Sequence, residues 1–157
     1  MRTDAGRRAL LLTIAASALL QACDKPDRDV EAEVAQLVEE AQKSAEAGDD
    51  RALARFLSAD YADPEGRDRR TMGFIVRSWL GRYPGVVTMV TDLSVVAISD
   101  QLATAEMTVF LAGRDGNRPL LTGIDTDRVR LELALRHEDG RWLVTGAQWE
   151  PPGRHRH

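Results

Sequence analysis

From Asp127 to Glu150 the chain runs DRVRLELALRHEDGRWLVTGAQWE, and the period of this stretch decides the fold. Val129, Leu131, Leu133 and Leu135 alternate with Arg128, Arg130, Glu132 and Arg136. A strand turns successive side chains to opposite faces, so this period of two predicts a strand over 127–137 with its apolar face buried. Glu138-Asp139-Gly140 comes next, and an Asp-Gly pair tolerates the left-handed backbone of a tight hairpin turn. Arg141 to Trp149 is then the returning strand. Pro151-Pro152 ends it, because proline brings no N–H to a ladder.

The same period continues upstream. In Leu102 to Ala112, the residues Ala103, Ala105, Met107, Val109 and Leu111 alternate with mostly polar positions. Val86 to Ile98 is rich in β-branched residues, and Ser99-Asp100-Gln101 reads as a turn between the two strands. Residues 113–123 form a long, polar, glycine-bearing connection to the last hairpin.

Before Val86 the spacing is helical. Val30, Val34, Leu37, Val38, Ala41 and Ala45 share one face, with Asp29 placed to cap the start and Gly48 to stop the end. Asp49 or Asp50 caps a second, shorter helix that buries Leu53, Phe56 and Leu57. Residues 59–68 form a polar loop with Pro64 and Gly66 as turn signals. A third helix from about Arg70 puts Met72, Ile75, Val76, Trp79 and Leu80 on one face, and the glycines of 81–85, with Tyr83-Pro84 between them, end it. Three helices followed by four antiparallel strands predict an α+β fold, with the helices on one face of a curved sheet.

This order, the Ala47-Gly48-Asp49-Asp50 link and the Glu138–Trp149 ending resemble the nuclear transport factor 2-like superfamily over Val30 to Glu150. The resemblance implies a cone-shaped, cystatin-like fold of the SnoaL and ketosteroid isomerase type. It also implies a pocket between helices and concave sheet, often used for small apolar molecules, and pairing of two copies through their sheets. By the periodicities above, Tyr61, Met72, Trp79, Phe110 and Trp149 are the candidates to line such a pocket.

Asp63-Pro64-Glu65-Gly66 is similar to the segment of ketosteroid isomerases that carries the catalytic aspartate. The resemblance implies a general base at Asp63 for an isomerase or dehydratase reaction. That chemistry also needs acidic donors for the developing oxyanion. The family's tyrosine falls near Ala41, which donates nothing, and Glu132 sits opposite the apolar positions of its strand. The mixed run Glu65, Arg67, Asp68, Arg69 and Arg70 fits a solvated helix start.

At the other end of the chain, Arg2, Arg7 and Arg8 precede an apolar segment from Ala9 to Leu20. About 20 apolar residues are needed to span a bilayer, so this segment is too short for a resident helix and has the layout of an export signal. Leu20-Gln21-Ala22-Cys23 resembles the lipobox of bacterial lipoproteins, with Gln21 where a small residue is commoner. The resemblance implies cleavage after residue 22, lipid on the Cys23 sulfur and palmitate-type acylation of the new amine. Each buried methylene contributes about 0.8 kcal/mol, and two or more chains hold stably. Asp24 resembles an inner-membrane retention signal, which favours the periplasmic face of the inner membrane over the outer membrane.

The chain has 157 residues, one cysteine and a net charge of −4; without residues 1–22, which hold three arginines and Asp4, the balance is −6. A single cysteine excludes a disulfide framework, and the acidic balance argues against nucleic acid. The expected organisation is a signal peptide over 1–22, lipidated Cys23 with a tether to residue 29, one domain over 30–150 and a tail over 151–157. No cofactor or metal motif stands out, and His155 and His157 fall in the terminal tail. The reading that follows is a membrane-anchored, periplasm-facing binding domain. Its ligand is a small apolar molecule in the cone or an envelope protein partner, and an enzyme with Asp63 as base is the alternative.

Overall fold

The computed structural model describes residues 28–82, 84–113 and 128–150. The leader, Cys23, Asp24, Tyr83, most of the 113–123 connection and the tail with His155 and His157 lie outside the described residues. Three helices, α1 (Val30–Glu46), α2 (Asp50–Ala54) and α3 (Arg69–Arg82), precede four strands, β1 (Val86–Ala97), β2 (Leu102–Gly113), β3 (Arg128–Glu138) and β4 (Arg141–Glu150). The sheet order is β1-β2-β3-β4 with every pair antiparallel, so β1 and β4 are its edges. This is the α+β plan that the two periods predict.

Local chemistry sets most boundaries. The Asp29 carboxylate accepts the Ala32 N–H at 3.0 Å and starts α1; Gly48 takes φ +69° just past its end. Asp49 caps α2 in the same way through the Ala52 N–H at 2.8 Å. Asp68 accepts the Thr71 N–H at 2.8 Å at the start of α3, so part of the mixed charge run is a cap. Asp139 and Gly140 have φ of +49° and +83°, as a type I′ hairpin turn between β3 and β4 requires.

One element differs from expectation. The second helix stops at Ala54, and Phe56 and Leu57 lie beyond it. The edge of β4 captures them: Val144 donates its N–H to the Phe56 carbonyl at 2.8 Å, and Ser58 donates to the Val144 carbonyl at 2.9 Å. Leu57 thereby bridges Val144 in parallel fashion. Unpaired strand-edge groups are costly when covered, and this segment satisfies them better than one more helical turn would.

Two irregularities curve the sheet. Between Thr91 and Ser94, β1 carries one more residue than β2, with Asp92 at φ +55°. Opposite Ala134 and Leu135, β4 carries the extra residue Thr145. Bulges bend a strand and increase its twist, which makes the inner face concave. Val34, Leu37 and Val38 of α1 pack into that face over Ala103, Ala105 and Met107 of β2.

The chain after α2 also crosses β4 closely. Ala62 donates its N–H to the Thr145 carbonyl, and a Cβ added at Gly146 would meet the Ala62 carbonyl oxygen at 3.1 Å. Gly146→Ala should therefore lower stability by about 1–2 kcal/mol. Gly73 in α3 has nothing within 4 Å of an added Cβ, so Gly73→Ala should raise stability by about 0.5–1 kcal/mol through helix propensity. Urea unfolding of the two variants beside the parent checks both signs.

Candidate binding cavity

A cavity of about 330 Å³ lies inside the cone, between the inner face of α1, the apolar face of α3 and the concave sheet. Four of the five expected lining residues meet there: Tyr61, Met72, Trp79 and Trp149. Phe110 does not. It pairs with Met89 on one side and Arg128 on the other, while its neighbours Val109 and Leu111 line the cavity. With Val109 and Leu111 facing in, alternation along β2 puts Phe110 on the opposite face of the strand.

Other lining residues carry no special signal in the sequence. Ala41 and Ala45, one turn apart on α1, and Ala147 on β4 form part of the wall, with Leu131 and Leu133 from β3. Helical and strand periodicity puts them on inward faces, but periodicity cannot say that their small side chains leave space. The polar lining groups are few and engaged. Gln42 donates through Nε2 to the Thr88 carbonyl at 3.3 Å, and the Thr88 N–H and hydroxyl both donate to Glu46.

Asp63 sits behind this wall and is not among the cavity-lining residues. It is 7% exposed. One carboxylate oxygen accepts the backbone N–H groups of Glu65 at 3.0 Å and Arg67 at 2.9 Å. The other accepts the Arg67 Nε–H at 2.6 Å and, at 3.4 Å, the Tyr61 hydroxyl. Burial is the largest single influence on this carboxyl and pushes its pKa up; the Arg67 N–H and guanidinium together outweigh it and hold the group below the usual carboxylate range. A general base working near neutral pH needs a raised pKa and a free lone pair facing the substrate. Both oxygens of Asp63 are engaged by these donors, and the geometry lends no support to the base that the resemblance implies there.

The segment has a structural task instead. Gly66 at φ +76° closes the turn after Asp63, and Arg67 returns to form the ion pair. Arg67 also pairs with Glu65 at 2.8 Å, and its guanidinium carbon stands 4.0 Å above the centroid of the Trp149 ring. Burial, then the Asp63 charge, push the Tyr61 hydroxyl up to about 12, so it remains a neutral donor. Tyr61 and Trp149, two walls of the cavity, are thus both seated by the Asp63–Arg67 pair.

A second polar network stands outside the cone. Buried Ser58 donates to Glu138 at 2.8 Å, and Arg136 bridges Glu138 and Asp60 at 2.7 and 2.9 Å. A groove of about 570 Å³ runs between α1, α2 and the β3–β4 turn, but its walls include Glu40, Lys43, Arg55 and Arg141. An apolar ligand loses less by entering the cone. Among the described residues, no group of three or more His, Cys, Asp or Glu could hold a metal ion. None of the described helices is long and apolar enough to cross a membrane.

Solved structures share this architecture, which is the cystatin-like, nuclear transport factor 2-like fold. An NTF2-like protein of unknown function from Pseudomonas putida KT2440 superposes with a TM-score of 0.64 at 17% identity, over 80% of this chain and 88% of that one. A scytalone dehydratase candidate from Novosphingobium aromaticivorans gives 0.58 at 12% identity, over 76% and 81%. Bdellovibrio bacteriovorus Bd1075 gives 0.62 at 9% identity over 76% of this chain, which spans 41% of that protein. No protein-family model and no curated protein matches the chain. The neighbours therefore include both proteins of unknown function and enzyme candidates, and they share the fold alone.

The Asp63 geometry predicts a pH effect with a definite sign. Its folded pKa is depressed, so the stability it contributes is present above the unfolded value of about 3.9 and is lost as pH falls through the folded one. Asp63→Asn should melt below the parent at about pH 7, and the gap should narrow toward about pH 3. Melting temperatures across that range decide it; a constant gap contradicts the ion-pair account.

Proposed function

We propose that this chain is a lipid-anchored protein of the bacterial cell envelope whose cone binds a small uncharged apolar molecule without transforming it. One observation carries the binding reading: the cavity wall is apolar and no carboxylate is among its lining residues, Asp63 being committed to Arg67 behind it. Burying a ligand there gains roughly 25 cal/mol for each Å² of apolar surface removed from water. Proton transfer would need an acid and a base that face the ligand. Among the lining residues Tyr61 is the one ionisable side chain, and its hydroxyl donates to Asp63.

The anchor is carried by the sequence around Cys23, and Asp24 favours the periplasmic face of the inner membrane. The short charged segment from Asp24 to Asp29 would hold the domain close to that surface. A partner reading has its own support. Val87, Met89 and Val96, 44%, 55% and 57% exposed on β1, give the outer side of the sheet apolar area suited to a second copy of the chain.

The ligand test uses 1-naphthylamine, a neutral fluorescent probe of about the size the cavity holds. Saturable quenching of the tryptophan fluorescence, two of whose three sources (Trp79 and Trp149) line the cone, is expected on titration; no saturable change removes the binding reading. The anchor test feeds labelled palmitate to cells expressing the parent and Cys23→Ser. Label should enter the parent alone, and label retained by the variant overturns the anchor.

A further inference from the structure

We infer that Ala41, Ala45 and Ala147 act as the size gauge of the cone, so that it selects an uncharged, mostly hydrocarbon molecule of about ten non-hydrogen atoms. The inference rests on the binding reading above and adds the ligand's class and the residues that set it.

The size follows from the space. A water-sized group claims roughly 30 Å³ of liquid volume, so a cavity of about 330 Å³ holds on the order of ten such groups. A four-ring skeleton of about twenty atoms would need about twice that. The room exists because small side chains stand where larger ones would close it. Ala41 and Ala45 occupy the same face of α1 as buried Val34, Leu37 and Val38, yet end at Cβ. Toward its C-terminus the inward face of the helix thus changes from valine and leucine to alanine, while Gln42 and Glu46 beside them bond to Thr88 of β1. Ala147 likewise ends at Cβ on β4, between the larger Val144 and Trp149 of that wall.

The charge selection follows from the lining. Tyr61 is the only lining residue that titrates, and it keeps its proton at neutral pH. The nearby cation, Arg67, is held by Asp63 and Glu65 and stacked on Trp149. A ligand carboxylate inside the cone would lose its hydration and meet no free cation, a cost that excludes it. An uncharged ligand meets only carbon, two methionine sulfurs and engaged polar groups.

The experiment titrates the purified protein with n-alkanols from hexanol to tetradecanol and with the matching carboxylates, read by displacement of 1-naphthylamine and by tryptophan fluorescence. Each added methylene should tighten alkanol binding about fourfold until about ten carbons, after which affinity levels off. Carboxylates of equal length should bind at least tenfold more weakly. Ala41→Leu, which adds three carbons to the wall, should move the levelling point to chains about three carbons shorter. Ala45→Val tests the same point with a smaller intrusion, and thermal melts confirm that both variants fold. Affinity that keeps rising to tetradecanol, equal binding of carboxylates, or an unmoved levelling point in folded Ala41→Leu and Ala45→Val overturns the inference. If no alkanol binds while 1-naphthylamine does, the size gauge falls and the binding reading stands; if neither binds, both fall.

Discussion

A four-stranded open sheet has two edges whose backbone groups need partners, and α1 supplies them on one side while helping to close the other. Near its start, Glu33 accepts the Trp142 indole N–H at 2.7 Å, on β4. Near its end, Glu46 accepts the Thr88 N–H at 2.9 Å and Gln42 donates to the Thr88 carbonyl, on β1. The helix is therefore pinned to both edge strands across about 20 Å of its length. A helix fixed at both ends cannot settle onto the sheet wherever its side chains are small. The space beside Ala41 and Ala45 is the consequence, and the bulges in β1 and β4 deepen it by curving the floor.

The other edge is met by the chain between α2 and α3. Residues 56–62 hydrogen-bond to β4, and the turn after them folds around the Asp63 carboxylate. Leaving such a group buried and unpaired would cost far more than the pair with Arg67 returns, so the arginine is obligatory. Its guanidinium then lies on Trp149, which carries the effect of that ion pair into the wall of the cone. Structure and site are linked here by charge. The carboxylate that resembles a catalytic base serves to hold two aromatic walls in place.

The same fold supports neighbours of unknown function and enzyme candidates at 17% identity or less. The fold brings a cone; the side chains that face into it decide what happens there. In this chain most of the inward positions are apolar or aromatic, while Gln42 bonds to Thr88, Thr88 to Glu46 and Tyr61 to Asp63. Such a surface rewards burial of carbon and offers no poised acid–base pair.

The order of elements was legible in the chain because it depends on contacts close in sequence. Alternation in 127–137, the caps at Asp29 and Asp49 and the Asp139-Gly140 turn each act within a few residues, and all reappear in the structure. Met72 and Trp79 fall on the face of α3 that its period marks, whereas Tyr61 lies in the loop after α2, where no period applies. The end of α2 was not legible, because a distant strand edge competes for the same backbone groups. Nor was the fate of Asp63, since its carboxyl could be taken for a base until Arg67 was seen to close on it and Trp149 was found beneath the guanidinium. Periodicity tells which way a side chain points. Only the packed chain decides whether space remains in front of it, and which charges have already found each other.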